Sequence, residues 1–358
     1  MSNFGLAYVG FQGDHRPISS PDGGSTAMWP ILRAFQDAGW RTYLMHEDLD
    51  HELYSKMSSK LFEGPCARKR WKTYITTIKQ RDHSWPTTLQ GAHDWPELDV
   101  LLMEWRWFIP SKNQPYLDRQ QRMLAHYGET STKIIIWDTD HHLTANDEVS
   151  LPSNATIVEP SFRPKFLTRP RKTLHYATDV ALLVTGRELI IDETKHDDLC
   201  YVGNRYERDQ DVNDWLHPIS DDLRISIVGK WEPINEMRTM WPKINFHQRI
   251  DAAEFKTWIS RAEAVPLLAK KSYHETGLMA LRVFETVMNG SLPISLATFT
   301  GAHQITSRVA ENAEHLKDHC RALLGLPTKQ AYLDEHMRAV EMLEQFDHRK
   351  FTDKILAL

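Results

Sequence analysis

Carboxylates and imidazoles gather in one short run, Asp138-Thr139-Asp140-His141-His142, directly after the apolar stretch Lys133–Trp137. A carboxylate beside an imidazole can take a proton from a hydroxyl, or hold that hydroxyl in line for attack. Asp140 is the preferred acid/base or acceptor-orienting group, with His141 beside it. Asp14 with His15, after the first apolar run, is a rival base, and Glu104, near the end of residues 99–105, is another. The same residue types also suit a metal ion. No partner ligands recur at helical spacing elsewhere, so no essential metal is expected. A polar strand-end loop with a helix-capping Asp is the plainer account of the run.

Two later segments carry the complementary charge. Tyr201-Val202-Gly203-Asn204-Arg205-Tyr206-Glu207-Arg208 reads as a strand that ends in a turn with basic side chains. Gly203 admits close backbone approach. Arg205, with Arg208 behind it, offers a fork of donors to a phosphate. The second segment is Ala269-Lys270-Lys271-Ser272-Tyr273-His274, a basic, hydroxyl-rich loop between a strand and a helix. That arrangement suits an anion, and Lys270 and Tyr273 are its first candidates. On the helix that follows, Glu285 has two acceptor oxygens for a pair of sugar hydroxyls. The alternative is an exposed carboxylate paired with Arg282 three residues earlier. No G-x-x-x-x-G-K-[ST] loop and no G-x-G-x-x-G after the first strand is present, which weighs against P-loop NTPases and dinucleotide oxidoreductases.

The elements that must hold these residues alternate between short apolar runs and amphipathic stretches. Residues 4–11, 41–45, 99–105, 133–137 and 155–158 read as strands, and 26–38 and 116–127 as helices. A second set follows: strands at 198–203, 223–229, 244–247, 264–268 and 292–295, with helices at 252–262 and 276–288. Runs such as Lys133-Ile-Ile-Ile-Trp137 suit a parallel sheet buried on both faces. The chain has 358 residues, and at about 150 residues per domain that makes roughly two. The expected organisation is an α/β chain of two Rossmann-like domains facing a central cleft. Residues 1–165 form the first, 166–190 a connection, 191–328 the second, and 329–358 terminal helices that return toward the first.

The run Arg282-Val-Phe-Glu285-Thr-Val-Met-Asn-Gly290-Ser-Leu-Pro293-Ile resembles the nucleotide-sugar segment of GT-B glycosyltransferases. The resemblance implies a GT-B fold, Glu285 as ribose ligand, and a turn at Gly290 that passes close to the nucleotide. It also implies a basic side chain of the Tyr201–Arg208 segment on the diphosphate, with no catalytic metal. The family's widespread E-x7-E pattern would put its first Glu at 277, where this chain has Gly277. Gly23-Gly24-Ser25-Thr26, ahead of a helix, is similar to the family's loop after the first strand. The run Lys133–His142, with Asp99-Val-Leu-Leu102 before it, resembles tailed-phage glucosyltransferases that modify 5-hydroxymethylcytosine in DNA. What this implies is transfer of a sugar from a nucleoside-diphosphate sugar, UDP-linked, to a hydroxymethylated pyrimidine in double-stranded DNA. A cell-surface glycan or small-molecule acceptor is the alternative, as is a non-catalytic nucleotide- or DNA-binding module of the same fold.

Local charge bears on the DNA reading. Basic residues number 43 and acidic residues 48, for a formal charge of −5, which excludes a chain coated in positive charge. Basic residues nonetheless cluster with aromatics at Arg68-Lys69-Arg70-Trp71-Lys72-Thr73-Tyr74 and, beside the connection, at Arg163-Pro-Lys165-Phe166-Leu-Thr-Arg169-Pro-Arg171-Lys172. Trp105 and Arg106, near a strand end, add to them. Cations of this kind neutralise phosphates, and aromatics stack on or wedge beside a displaced base. A solvated basic face is the plainer account. Trp is abundant at 12 residues, and most of these read as packing. The three widely spaced cysteines, Cys66, Cys200 and Cys320, do not form a disulfide framework. No apolar run reaches the roughly 20 residues of a membrane span, so no membrane partner and a cytoplasmic location are expected.

Overall fold

The computed structural model describes residues 2–7, 23–44, 87–88, 95–105, 120–192, 194–250 and 252–358. The chain divides into two compact units, Met1–Ala177 with His348–Leu358, and Thr178–Asp347.

In the first unit the strands are β1 (Asn3–Ala7), β2 (Arg41–Leu44), β3 (Thr87–Thr88), β4 (Val100–Glu104), β5 (Lys133–Trp137), β6 (Ala155–Glu159) and β7 (Arg171–Thr173). They make one sheet in the order β3-β2-β1-β4-β5-β6-β7, with every pairing parallel. All five residues of β4 are buried, as are four of five in β5, which is why these strands lack the alternation of a one-faced sheet. Leu101, Met103, Trp105, Tyr127, Ile134, Ile136 and Ile157 share one core cluster. The stretch read as an interdomain connection contains β7, whose Lys172 is paired with Val158 of β6. The segment His348–Leu358 packs on this unit: Phe351 lies 6.4 Å from Trp137 between ring centres, and Lys133 Nζ donates to the Leu356 carbonyl at 2.8 Å.

The second unit holds β8 (Asp197–Val202), β9 (Ile225–Val228), β10 (Asn245–His247), β11 (Ala262–Pro266), β12 (Leu292–Leu296) and β13 (Val309–Ala310). Their order is β10-β9-β8-β11-β12-β13, again parallel throughout. Tryptophan fills much of this core. Trp231 and Trp241 are at most 1% exposed and meet edge to face, 6.4 Å apart. Each indole N–H has a partner: Trp231 donates to the Gly203 carbonyl at 2.8 Å and Trp241 to Asn213 Oδ1 at 2.8 Å. Such pairing removes the cost of burying the donor and contributes about 1 kcal/mol per bond. The helix Lys329–Leu343 belongs to this unit as well.

The structure corrects the sequence reading at residues 276–288, where one amphipathic helix was expected. There are two, Lys271–Thr276 and Arg282–Met288. Gly277 ends the first in the left-handed conformation, φ 64°, which a residue with a Cβ adopts at a cost. The apolar pattern continues across the break because Leu278, Met279, Val283, Phe284 and Val287 are all buried.

His175 lies beside the first sheet, with Nδ1 donating to the Pro160 carbonyl at 3.2 Å and its ring 4.3 Å from Phe162. Burial pushes its pKa down from 6.5 to about 4, and Lys354 adds to the shift. An imidazole that stays neutral when folded but protonates when unfolded costs stability as pH falls below the unfolded value. The wild type is expected to lose about 3 kcal/mol between pH 6.5 and 4 through this group. Urea unfolding of wild type and His175→Phe across that range checks it; equal pH slopes would contradict the assignment.

Candidate functional site

Parallel strands present all their following loops at one edge, and ligands of such sheets bind where the strand order reverses direction. In the second sheet that point lies between β8 and β11. The loop after β8 carries Gly203, Arg205 and Arg208; after β11, Lys270 ends the loop and Tyr273 stands on the short helix Lys271–Thr276. Sequence reasoning thus chose residues that the topology brings to one edge. The turn after β8 is tightly built: a Cβ at Gly203 would stand 2.4 Å from the Tyr201 hydroxyl.

The cations here are anchored. Arg205 Nε donates to Asp209 Oδ1 at 2.8 Å, four residues on. Arg208 spans the two loops, with Nε 3.4 Å from the Leu268 carbonyl and Nη1 3.2 Å from the carbonyls of Asn204 and Tyr206. Lys270 Nζ lies 5.0 Å from the centre of the Tyr273 ring, which is buried. Arg282 Nη1 sits 3.1 Å from Glu285 Oε2, in the first turn of its helix, with the guanidinium 4.7 Å from the Phe255 ring. The i,i+3 pairing weighed from the sequence is therefore present. It leaves Glu285 buried at 9% exposure rather than in open solvent.

Gly290 is placed differently from what the resemblance implied. It follows the helix Arg282–Met288 and leads into the amino end of β12, the opposite edge of the sheet. Its φ is 74°, and a Cβ there would lie 2.8 Å from the Gly186 carbonyl and 3.1 Å from Leu189. Close packing against the helix Gly186–Asp192 explains this glycine.

The first sheet also reverses, between β1 and β4. At its carboxyl edge a charged network surrounds Arg171, whose side chain is 1% exposed. Nη1 donates to Asp138 Oδ2 at 2.8 Å, Nε to Glu148 Oε1 at 2.8 Å, and Nη2 to the Leu143 carbonyl at 3.0 Å. Glu159 Oε2 lies 3.5 Å from Nη1 and 2.8 Å from His141 Nε2, which is also 3.2 Å from Ser161 Oγ. Asp138 further accepts the backbone N–H groups of His142 and Leu143 at 2.7 and 3.2 Å. Burial pushes its carboxyl up, against the pull of Arg171 and those N–H groups. Burial would also raise Glu148, but hydrogen bonds from Thr168, Arg171 and the Arg169 N–H hold it below the usual range.

Asp138 thus serves the turn and His141 serves Glu159. Within the run, Asp140 keeps the accessible carboxylate, its side chain 40% exposed and 3.9 Å from His142 Nε2. His141 has φ 59°, an uncommon conformation for a residue with a side chain. Glu104, the rival base, is 1% exposed and accepts from Thr139 Oγ1 at 3.0 Å.

Among the proposed acceptor residues, Trp105 is 7% exposed and packs in the core of the first unit, so its indole is not an open stacking surface. The Arg169 guanidinium donates to the carbonyls of Pro152 and Ala155 and fastens its own loop. Arg163 is exposed and Lys165 partly so. Asp14, Lys69, Arg70, Trp71, Lys72 and Arg106 lie outside the described residues. Sequence reasoning missed Arg171 as the centre of a network, and missed Asp211, whose carboxylate meets His274 Nε2 at 3.0 Å. Neither pairing leaves a local signal, since the partners are far apart in the chain. Among the described residues, no group of three or more His, Cys, Asp or Glu is set to hold a metal ion. No described helix is long and apolar enough to cross a membrane.

Two parallel α/β units of this order match solved glycosyltransferase structures along the whole chain. The β-glucosyltransferase of T4 phage with its UDP-glucose substrate superposes at TM-score 0.59, 13% identity and 100% coverage of both chains. The chain has the GT-B fold. An α-glucosyltransferase in complex with UDP and a 13-mer DNA containing an HMU base gives this GT-B chain a TM-score of 0.57, at 12% identity and 100% coverage of both. A glycosyltransferase of avilamycin A biosynthesis gives 0.57 at 12% identity, covering 100% of this chain and 96% of its own. At such identity the likeness is one of fold. No protein-family model and no curated protein matches the sequence.

Removing Arg171 would strand buried carboxylates, and breaking a buried pair from one side typically costs about 3–5 kcal/mol. Arg171→Met is expected to lower the urea midpoint of the first unit accordingly. A loss under about 1 kcal/mol would show that the network is solvated.

Proposed function

We propose that this chain is a glycosyltransferase that moves a sugar from a nucleoside-diphosphate sugar, UDP-linked, to a hydroxyl acceptor. The observation that carries the reading is the gathering of Arg205, Arg208 and Lys270 on adjacent loops at the switch point of the second sheet. A departing diphosphate needs positive charge placed where its own charge develops. Arg205, Arg208 and Lys270 supply it, and Glu285 accepts the ribose hydroxyls, with Arg282 fixing its carboxylate. The fold supports this reading, since the solved T4 phage enzyme carries UDP-glucose.

On the acceptor side, Asp140 takes the hydroxyl proton in an inverting reaction, or orients that hydroxyl in a retaining one. In the inverting case the acceptor oxygen bonds to the sugar carbon, and the bond to the diphosphate breaks with its electron pair leaving on UDP. His141, tied to Glu159 and Ser161, fixes the turn from which Asp140 projects. Asp14 stands as the second candidate base.

The acceptor we propose is a 5-hydroxymethylated pyrimidine in phage double-stranded DNA. Support comes from the basic residues Lys69, Arg70, Lys72, Arg163 and Lys165 and from solved structures of the same fold that act on DNA. A small-molecule or glycan acceptor is the second reading, favoured by the match of the whole of this chain to the avilamycin enzyme. Transfer without an essential metal is part of the proposal, because the cations named above do the neutralising. A T4 phage structure with UDP and Mn2+ makes this worth testing directly.

The test incubates wild type with UDP-glucose and either hydroxymethylated or unmodified duplex DNA, with and without chelator, and weighs the released nucleosides. A hexose on the hydroxymethylated base alone, undiminished by chelator, is expected. UDP release with no sugar on DNA would favour the second reading, and no turnover of any sugar nucleotide would sink the enzyme. Glu285→Ala should raise KM for the donor about ten- to a hundred-fold, the worth of a charged hydrogen bond. Asp140→Asn should lower kcat with donor KM little changed. Lys69→Ala should weaken DNA binding and reduce its salt slope by about 1.

A further inference from the structure

One buried imidazole joins three loops at the carboxyl edge of the second sheet. His274 Nε2 lies 3.0 and 3.2 Å from the two carboxylate oxygens of Asp211, on the segment after β8. Its Nδ1 lies 3.2 Å from Thr298 Oγ1, after β12. His274 itself stands on the short helix after β11, and its carbonyl accepts the Thr300 N–H at 2.9 Å. Asp211 Oδ2 also accepts the Ala269 N–H at 2.8 Å, one residue before Lys270. His274 and Asp211 are 7% and 8% exposed.

The proton positions follow from donor and acceptor types. A carboxylate only accepts, so Nε2 carries hydrogen, while the Thr298 hydroxyl can donate to Nδ1 or accept from it. Each member of the chain Thr298–His274–Asp211–Ala269 then has a partner. An apolar side chain of the same volume would stabilise a core as well as a buried ion pair does. What an apolar side chain lacks is directional bonding to three separate loops.

We propose that His274 is a positioning residue for the donor: through Asp211 and Thr298 it fixes loop 267–270, so that Lys270 meets the diphosphate beside Arg205 and Arg208. This rests on the nucleoside-diphosphate-sugar reading given above. The geometry is set before the donor arrives, so no binding free energy is lost to ordering that loop.

The test compares wild type with His274→Leu, His274→Gln and Thr298→Val, measuring UDP affinity by calorimetry, KM and kcat for UDP-glucose turnover, and thermal unfolding. His274→Leu should raise Kd for UDP and KM for UDP-glucose at least tenfold, with a smaller change in kcat. His274→Gln, whose amide N–H can reach Asp211, should recover most of that loss. A folded His274→Leu with wild-type Kd and KM would overturn the proposal, as would a fall in kcat alone that tracks the lost folded fraction. If His274→Leu does not fold, Thr298→Val decides, with about a threefold rise in Kd expected and an unchanged Kd overturning the proposal. Wild type that binds no UDP would instead overturn the donor reading on which the proposal rests.

Discussion

Parallel strand pairing is the constraint from which the rest of this structure follows. A parallel pair cannot be closed by a tight hairpin, so the chain must cross over and return, and each crossover begins at the same edge. Both sheets are parallel throughout their described pairings and both reverse order once. In the second sheet the reversal brings the loops after β8 and β11 side by side, with Arg208 hydrogen-bonded from one to the other. Arg205, Arg208 and Lys270 stand together there because the carboxyl edge collects the segments that follow neighbouring strands.

The alternation of apolar runs made the two sheets legible in the sequence, because strands buried on both faces need continuous apolar residues. The elements that carry Arg205, Lys270 and Glu285 were legible as well, since a basic turn after a strand and a carboxylate on a following helix are local patterns. The break at Gly277 was not, because a helix can stop and restart without disturbing the face it buries. Arg171 was read as part of a basic connection, since charge type does not reveal burial; three carboxylates drawn from separate elements hold it inside. Trp105 erred in the opposite direction, an aromatic at a strand end that turned inward to the core.

Buried polar groups divide the labour between the two units. Around Arg171 three carboxylates share one guanidinium, and Asp138 holds the turn at residues 138–143 with Asp140 on its accessible side. Around His274 a chain of hydrogen bonds runs through three loops. Both arrangements give up some stability relative to an apolar core and gain a defined backbone path.

The return of His348–Leu358 to the first unit has a consequence for how the protein comes into being. The ribosome releases Met1–Ala177 first, but the helix Phe351–Ala357 that covers Trp137 is made only after all of Thr178–Asp347. The second unit is contiguous and can close as soon as it emerges. The first must wait with part of its apolar surface uncovered, so the unit that is synthesised first is completed last.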